Sequence, residues 1–220
     1  MFCQNHIEAN FDKNNRYGGY FYKDFENEKI RLIITNCYEN ESKGEGLCWG
    51  AEQTKFIAQE ALNFEDKVDR ADWGVILFAH DIPADLILEH ELPADATSTL
   101  RYEAYDRNLL AILQAFQDGR SISCHLRGGE AFSIDYSAQG AMNLVATIHG
   151  HTHTDEYDTG YGWRNIGTIA AYDAYGDDKT KPEQEFGISV FTIDTDTDTI
   201  YETRIGRGQS RTFPPIGGNN

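Results

Sequence analysis

The chain lacks any segment apolar enough to cross a membrane. No apolar run approaches the roughly 18 residues that a transmembrane helix requires. The opening residues, MFCQNHIEAN, contain neither a basic segment nor an apolar core, so they do not resemble a secretory signal peptide. We therefore expect a cytoplasmic protein that does not interact with membranes.

Cysteine and basic residues are both scarce. The cysteines form no C-x-x-C pair, which favours free thiols over a disulfide framework; they are Cys3, Cys37, Cys48 and Cys124. Lys and Arg total 19 against 36 Asp and Glu, so the formal net charge is -17. Because an acidic surface repels phosphate backbones and anionic lipids, general nucleic-acid binding is not expected. A local cation site would still attract a phosphate group.

The apolar content is high enough for a packed core. Hydrophobic residues make up 40% and aromatic residues 12% of the 220 positions, which excludes an intrinsically disordered chain. A chain of this length suits one folded domain. We find no internal repeat and no linker composition that would divide it.

The spacing of the apolar residues predicts alternating strands and helices. Residues 51–64 and 101–116 have apolar side chains at helical spacing, and Asp118-Gly119 is a stop signal for the second helix. The predicted strands are residues 17–25, 29–35, 73–79, 144–148, 163–171, 186–193 and 199–205, with hairpins at both ends of the series. The segments predicted to be loops or irregular are residues 39–48, 81–100 (with a short helix), 155–162 and 208–220, and residues 120–143 have a mixed pattern. This alternation predicts an α/β (α+β) fold with a mixed sheet.

Two of the predicted strands end in histidine. The apolar residues 144–148 run into His149, Gly150, His151 and His153, and residues 73–79 run into His80. Imidazoles at adjacent strand ends are able to converge on one metal ion, because ligand-binding groups of α/β proteins lie at such ends. Spacing alone leaves the alternative open, since histidines packed in a core with satisfied hydrogen bonds are common.

These stretches resemble a known family. The sequence Ile148-His149-Gly150-His151-Thr152-His153, with Phe78-Ala79-His80-Asp81 upstream, is similar to the last two motifs of calcineurin-like metallophosphoesterases. The strand pair in residues 20–36 and the hairpin in residues 191–206 resemble blocks of the same family in the same order. The resemblance spans roughly residues 17–213, which we interpret as a partial domain between an irregular segment, residues 1–16, and a tail, residues 214–220.

The resemblance implies a fold, a reaction and a ligand set. The fold would be the family's β-sandwich with flanking helices, and the reaction hydrolysis of a small-molecule phosphomonoester or phosphodiester by a metal-activated water. Two divalent ions (Mn, Fe or Zn) serve the intact family. His80 and His151 would bind one ion and His153 the other, whereas His149 lies outside the pattern and is expected either to support a ligand without touching the ion or to serve in packing. No catalytic residue beyond these ligands is assigned.

The sequence departs from the family in its first third. No Asp-x-His occurs in the chain, the pair Gly176-Asp177 follows the histidines rather than preceding them, and Asn5-His6 lacks the flanking Gly and acid of the third motif. We therefore expect a domain incomplete at its N-terminus, which binds at most one metal and pairs with the missing N-terminal half for activity. The alternative is a non-catalytic remnant that acts as a binding or structural module.

A run of acidic residues, Asp194 to Asp198, resembles the start of a calcium-binding loop. Asp194-x-Asp196-x-Asp198 has the spacing with which an EF-hand loop begins, but Thr199 replaces the required Gly and Ile205 the required Glu. A hairpin turn is the better interpretation.

Overall fold

The computed structural model describes residues 19–37, 49–80, 100–126, 129–150, 153–170 and 186–216, with the backbone alone for residues 100–107. The chain has a mixed α/β fold and divides into two compact units, Met1–Thr147 and Ile148–Asn220. Within the described residues, no helix is both long and apolar enough to span a membrane.

Four neighbouring strands of the first unit are hydrogen-bonded in the order β1-β2-β3-β6. These strands are Phe21–Phe25, Ile30–Ile34, Gly74–Phe78 and Asn143–His149. Strands β1 and β2 form the predicted antiparallel hairpin, and β2 runs parallel to β3 with Ile30 opposite Gly74. Strands β3 and β6 are buried along nearly their whole length, as their continuous apolar runs predict for strands covered on both faces.

Two helices supply apolar side chains to the first unit. Helix α1, Ala51–Phe56, continues as a π-helical turn, Ile57–Ala61, and ends short of the predicted residue 64. Helix α2, Leu100–Asp118, confirms the second predicted helix, and Gly119 adopts a φ of +62° where the stop signal was expected. The rings of Phe64 and Phe116 pack with their centroids 6.0 Å apart.

Residues 120–143 contain a hairpin that the sequence pattern did not reveal. Strands β4, Ser121–His125, and β5, Ala131–Asp135, pair antiparallel in a sheet of their own. Their outward positions hold Ser, His, Ala and Asp and their inward positions Ile, Cys and Phe, so the residues do alternate, but each run is only five residues long. The predicted loop in residues 39–48 and nearly all of the predicted connection in residues 81–100 lie outside the described residues.

The second unit contains the end of β6 and two sets of short strands. Strand β7, Glu156–Asp158, pairs antiparallel with β8, Arg164–Gly167; β7 lies inside a predicted loop, and β8 is shorter than residues 163–171. Strands β9, Gly187–Asp194, and β10, Thr199–Gly206, form the predicted C-terminal hairpin. The prediction that residues 208–220 are irregular is wrong in part, because Arg211–Phe213 forms β11 on the other side of β10.

The turn between β9 and β10 confirms the hairpin interpretation of the acidic run. The Asp194 carboxylate accepts hydrogen bonds from the amides of Asp196 and Thr197, each 3.1 Å long. The side chain of Arg164 donates to the Asp198 carboxylate and to the Pro214 carbonyl, which ties this turn to the end of the chain. The described cysteines, Cys37 and Cys124, are free thiols, as predicted.

Candidate functional site

His80 follows β3 in the first unit and is exposed. The end of β3 is held to β2, because Thr35 donates two hydrogen bonds to the Phe78 carbonyl, from its amide at 2.9 Å and from its hydroxyl at 3.2 Å. The buried amide side chain of Gln53 accepts from the Asn36 amide at 2.7 Å and donates to the Asn36 carbonyl at 2.8 Å. The end of β3 beside His80 is therefore held to the end of β2, which the Gln53 side chain holds in turn.

His149 ends β6 in the second unit and is buried, with 2% of its surface exposed. Its carbonyl accepts hydrogen bonds from the amide and the hydroxyl of Thr168, at 2.9 Å and 3.1 Å. Its Nδ1 lies 3.3 Å from the Gly150 carbonyl oxygen, a contact that requires Nδ1 to carry the proton. This burial agrees with packing, one of the two roles expected for His149.

Gly167 leaves room for the His149 ring. A Cβ atom on Gly167 would lie 3.0 Å from Cε1 of His149 and 2.9 Å from Cβ of Glu156. Both distances are shorter than ordinary van der Waals contact, so any larger residue would displace the ring or strand β7. Gly167 is therefore part of the support of the histidine turn, a name we use for the described residues 149–150 and 153–156.

His153 is exposed and lies in the left-handed region, with a φ of +60°. This conformation is unusual for a residue other than glycine and persists where the surroundings fix it. The next side chain, that of Thr154, donates a hydrogen bond of 2.6 Å to the Glu156 carboxylate. The turn after His153 is thus held by a local side-chain contact as well as by strand β7.

An ionic cluster built around two buried side chains, Glu202 and Arg204, reaches into the histidine turn, and the sequence pattern does not reveal it. Its members, which we call the arginine cluster, are Asp155, Glu202, Arg204 and Arg211. Glu202 is fully buried and accepts from Arg204 at 2.6 Å and from Arg211 at 2.5 Å. Asp155 accepts from the same two arginines, at 2.7 Å and 3.2 Å. With two acids and two arginines, the cluster is neutral overall.

The alternation of residues in β10 reveals two faces of the strand, but it predicts burial of the opposite face from the one that is buried. The apolar residues Tyr201 and Ile205 alternate with Glu202 and Arg204, and simple burial rules place the apolar residues inside. In the structure the charged residues are buried and the apolar ones exposed. Charged side chains are buried in this way only when they are paired.

The structure describes two of the three predicted metal ligands. His80 lies in the first unit and His153 in the second, and His151 lies outside the described residues. No group of three or more His, Cys, Asp or Glu able to hold a metal is found within the described ranges, from which His151 is missing. The two described imidazoles are exposed at strand-end turns, and neutral imidazole is a suitable donor for Zn, Mn or Fe. By donor chemistry these residues fit a divalent metal.

Comparison with known proteins gave no relative: no protein-family model matches the chain, and no curated protein matches it.

Proposed function

We propose that the chain belongs to the calcineurin-like metallophosphoesterases and takes part in metal-dependent hydrolysis of a phosphomonoester or phosphodiester. The observation that carries the proposal is the pair of buried strands, β3 and β6, which both lead into histidines. The order of the surrounding elements supports it, since the hairpin of β1 and β2 precedes these strands and that of β9 and β10 follows them.

The proposed role of His80, His151 and His153 is to hold Mn, Fe or Zn. When bound, such an ion lowers the pKa of a coordinated water and polarises the phosphoryl group. His80 and His153 are exposed and therefore accessible to solvent and substrate, whereas the buried His149 keeps the strand end in place. A formal charge of -17 repels a phosphate, so the substrate requires a local cation in order to bind.

A second candidate function is a non-catalytic binding or structural module on the same scaffold. It is favoured by the absence of Asp-x-His from the 220 residues, because that motif supplies the aspartate that bridges two ions in the family. Two dications close together repel strongly unless a carboxylate lies between them. We propose that catalysis requires a segment that supplies this carboxylate, and that these residues alone hold one ion at most.

Hydrolysis assays separate the two functions. The protein is assayed with Mn²⁺ on p-nitrophenyl phosphate and bis-p-nitrophenyl phosphate, alone and joined to a segment that carries the Asp-x-His and Gly-Asp motifs. The catalytic proposal predicts activity in the joined protein, abolished by His151→Asn and retained in the control His125→Asn, which changes an exposed strand histidine of the first unit. If the joined protein is inactive on both esters, or if His151→Asn has no effect, the catalytic proposal is wrong.

A further inference from the structure

The guanidinium of Arg211 contacts four residues in three segments of the second unit. It donates to the Glu156 carbonyl on β7 at 3.0 Å and to the Gly167 carbonyl on β8 at 2.7 Å. It also pairs with Glu202 at 2.5 Å and with Asp155 at 3.2 Å. Arg211, on β11, thus holds Asp155 and Glu156 at the end of the histidine turn. It also holds Gly167, which faces the His149 ring.

We propose that Arg211, oriented by Glu202, is a positioning residue that holds the histidine turn in the conformation required for metal binding by His153. The proposal rests on the function proposed above, because it assigns His153 a metal. It goes beyond that function in naming a residue far along the chain that controls the geometry of the turn.

Glu202 is well suited to orient Arg211. Its side chain is fully buried, and its two oxygens are shared: Oε2 accepts from Arg211, and Oε1 accepts from Arg204 and from the Ser189 hydroxyl, both at 2.6 Å. Because Arg204 and Ser189 already donate to Oε1, neither of them is available to replace Arg211 at Oε2. Glu202 therefore fixes the orientation of the Arg211 guanidinium that bonds the carbonyls of β7 and β8.

The backbone conformation of His153 explains why the contacts of Arg211 matter for the histidine turn. A non-glycine residue with a φ of +60° is stable only when its neighbours prevent relaxation. Two residues after His153, the Asp155 carboxylate is held by Arg204 and Arg211, and the next carbonyl is held by Arg211. Groups that orient a metal ligand in this indirect way affect metal affinity without touching the ion.

A purely structural role is the competing explanation, and Arg164 is a matched control for it. Arg164 is more buried than Arg211, with 2% against 19% of the side chain exposed, lies in the same unit and also uses its guanidinium to hold backbone carbonyls and one carboxylate. Its guanidinium donates to Asp198 and Pro214, which are not part of the histidine turn. Loss of Arg164 therefore reports the general cost of removing a buried arginine from this unit.

The test compares Arg211→Gln with Arg164→Gln, using Co²⁺ as the probe. We expect Arg211→Gln to raise the Co²⁺ dissociation constant by about tenfold or more and to change the visible absorption of bound Co²⁺, while Arg164→Gln changes neither. In the metal-free protein, the Thr168 amide, which bonds the His149 carbonyl, should exchange hydrogen faster in Arg211→Gln. Arg211→Lys keeps the charge but loses the fork and should show smaller changes in the same direction; it replaces Arg211→Gln if that variant does not fold.

The outcomes distinguish this inference from the function on which it rests. Equal effects of the Arg211 and Arg164 variants, or an unchanged Co²⁺ affinity and spectrum in Arg211→Gln, would overturn the positioning role. If His153→Ala leaves Co²⁺ binding unchanged, the assignment of His153 to a metal is wrong. Amide exchange at Thr168 then still decides whether Arg211 braces the turn: faster exchange supports it, and unchanged exchange overturns it.

Discussion

The α-carbon of Gly167 faces the imidazole of His149, and a Cβ atom at this position would lie 3.0 Å from Cε1 of the ring. We expect Gly167→Ala to lower the free energy of unfolding of the second unit by about 1–3 kcal/mol, because neither the buried ring nor β7 has room to move. Urea denaturation followed by circular dichroism measures the change.

Gly160→Ala is the matched control for this substitution. A Cβ on Gly160 would meet only the Asp158 carboxylate, at 3.4 Å, which is ordinary contact with a side chain able to move. The control should change stability by less than about 0.5 kcal/mol. Equal losses for the two glycines would contradict the packing described for His149.

Arg31 is buried in the first unit, with 2% of its surface exposed, and makes a bidentate pair with Asp24. It also donates to the carbonyls of Ala61 and Asn63, at 2.9 Å and 2.8 Å. We expect Arg31→Met to cost about 3–5 kcal/mol, because two carbonyls lose this donor and the Asp24 carboxylate loses its bidentate partner and keeps the Lys67 ammonium, 2.9 Å away. Denaturant titration tests this against Arg120→Met, which removes an exposed pair with Asp118 and should cost less than about 1 kcal/mol.

The Asp24 carboxylate should also make the free energy of unfolding depend on pH in the acid range. Burial alone would raise the pKa of Asp24, but the hydrogen bonds and charges of Arg31 and Lys67 outweigh it and hold the pKa below the ordinary value of 3.8. The stabilisation is therefore complete above this ordinary value and disappears as the pH falls through the lower, folded-state pKa. Asp24→Asn should be less stable than the wild type at pH 7, with a difference that shrinks on acidification. A difference that grows in acid would contradict this sign.

The side chain of Gln53, on helix α1, hydrogen-bonds both the amide and the carbonyl of Asn36, just after the end of β2. Gln53→Leu would leave the amide and carbonyl of Asn36 without these hydrogen bonds, and we expect a loss of about 2–4 kcal/mol. Glu52→Leu, on the same helix but 79% exposed at its side chain, should stay within about 0.5 kcal/mol of the wild type. Thermal unfolding of both variants provides the measurement.

The strong apolar patterns made much of the fold predictable. Strands β3 and β6 and helix α2 lie where continuous or helically spaced apolar residues indicated them, because burial on both faces or along one stripe determines those patterns. The hairpin of β4 and β5 was missed although its residues alternate, because each strand has only five residues and therefore only two inward positions. Strand β11 was missed because its three residues lie in a five-residue stretch between Gly208 and Pro214, which reads as a loop unless β10 is known to pair with it.

The site was predictable only in part, for a different reason. Histidines after apolar runs are visible in a sequence, and so His80 and the histidine turn were identified. The arginine cluster depends on contacts between residues as distant as Asp155 and Arg211, and on which face of β10 is buried. Alternation gives the period of a strand, but the charged face of β10 turns inward because its charges are paired.

The metal content of the purified 220-residue protein is the most direct test of the central claim. Elemental analysis compares the wild type with the double variant His151→Ala, His153→Ala and with His125→Ala as a control. The account predicts about one divalent metal ion per chain in the wild type and the control, and none in the double variant. A wild type without metal, or a double variant that retains it, would contradict the assignment of the histidine turn to metal binding.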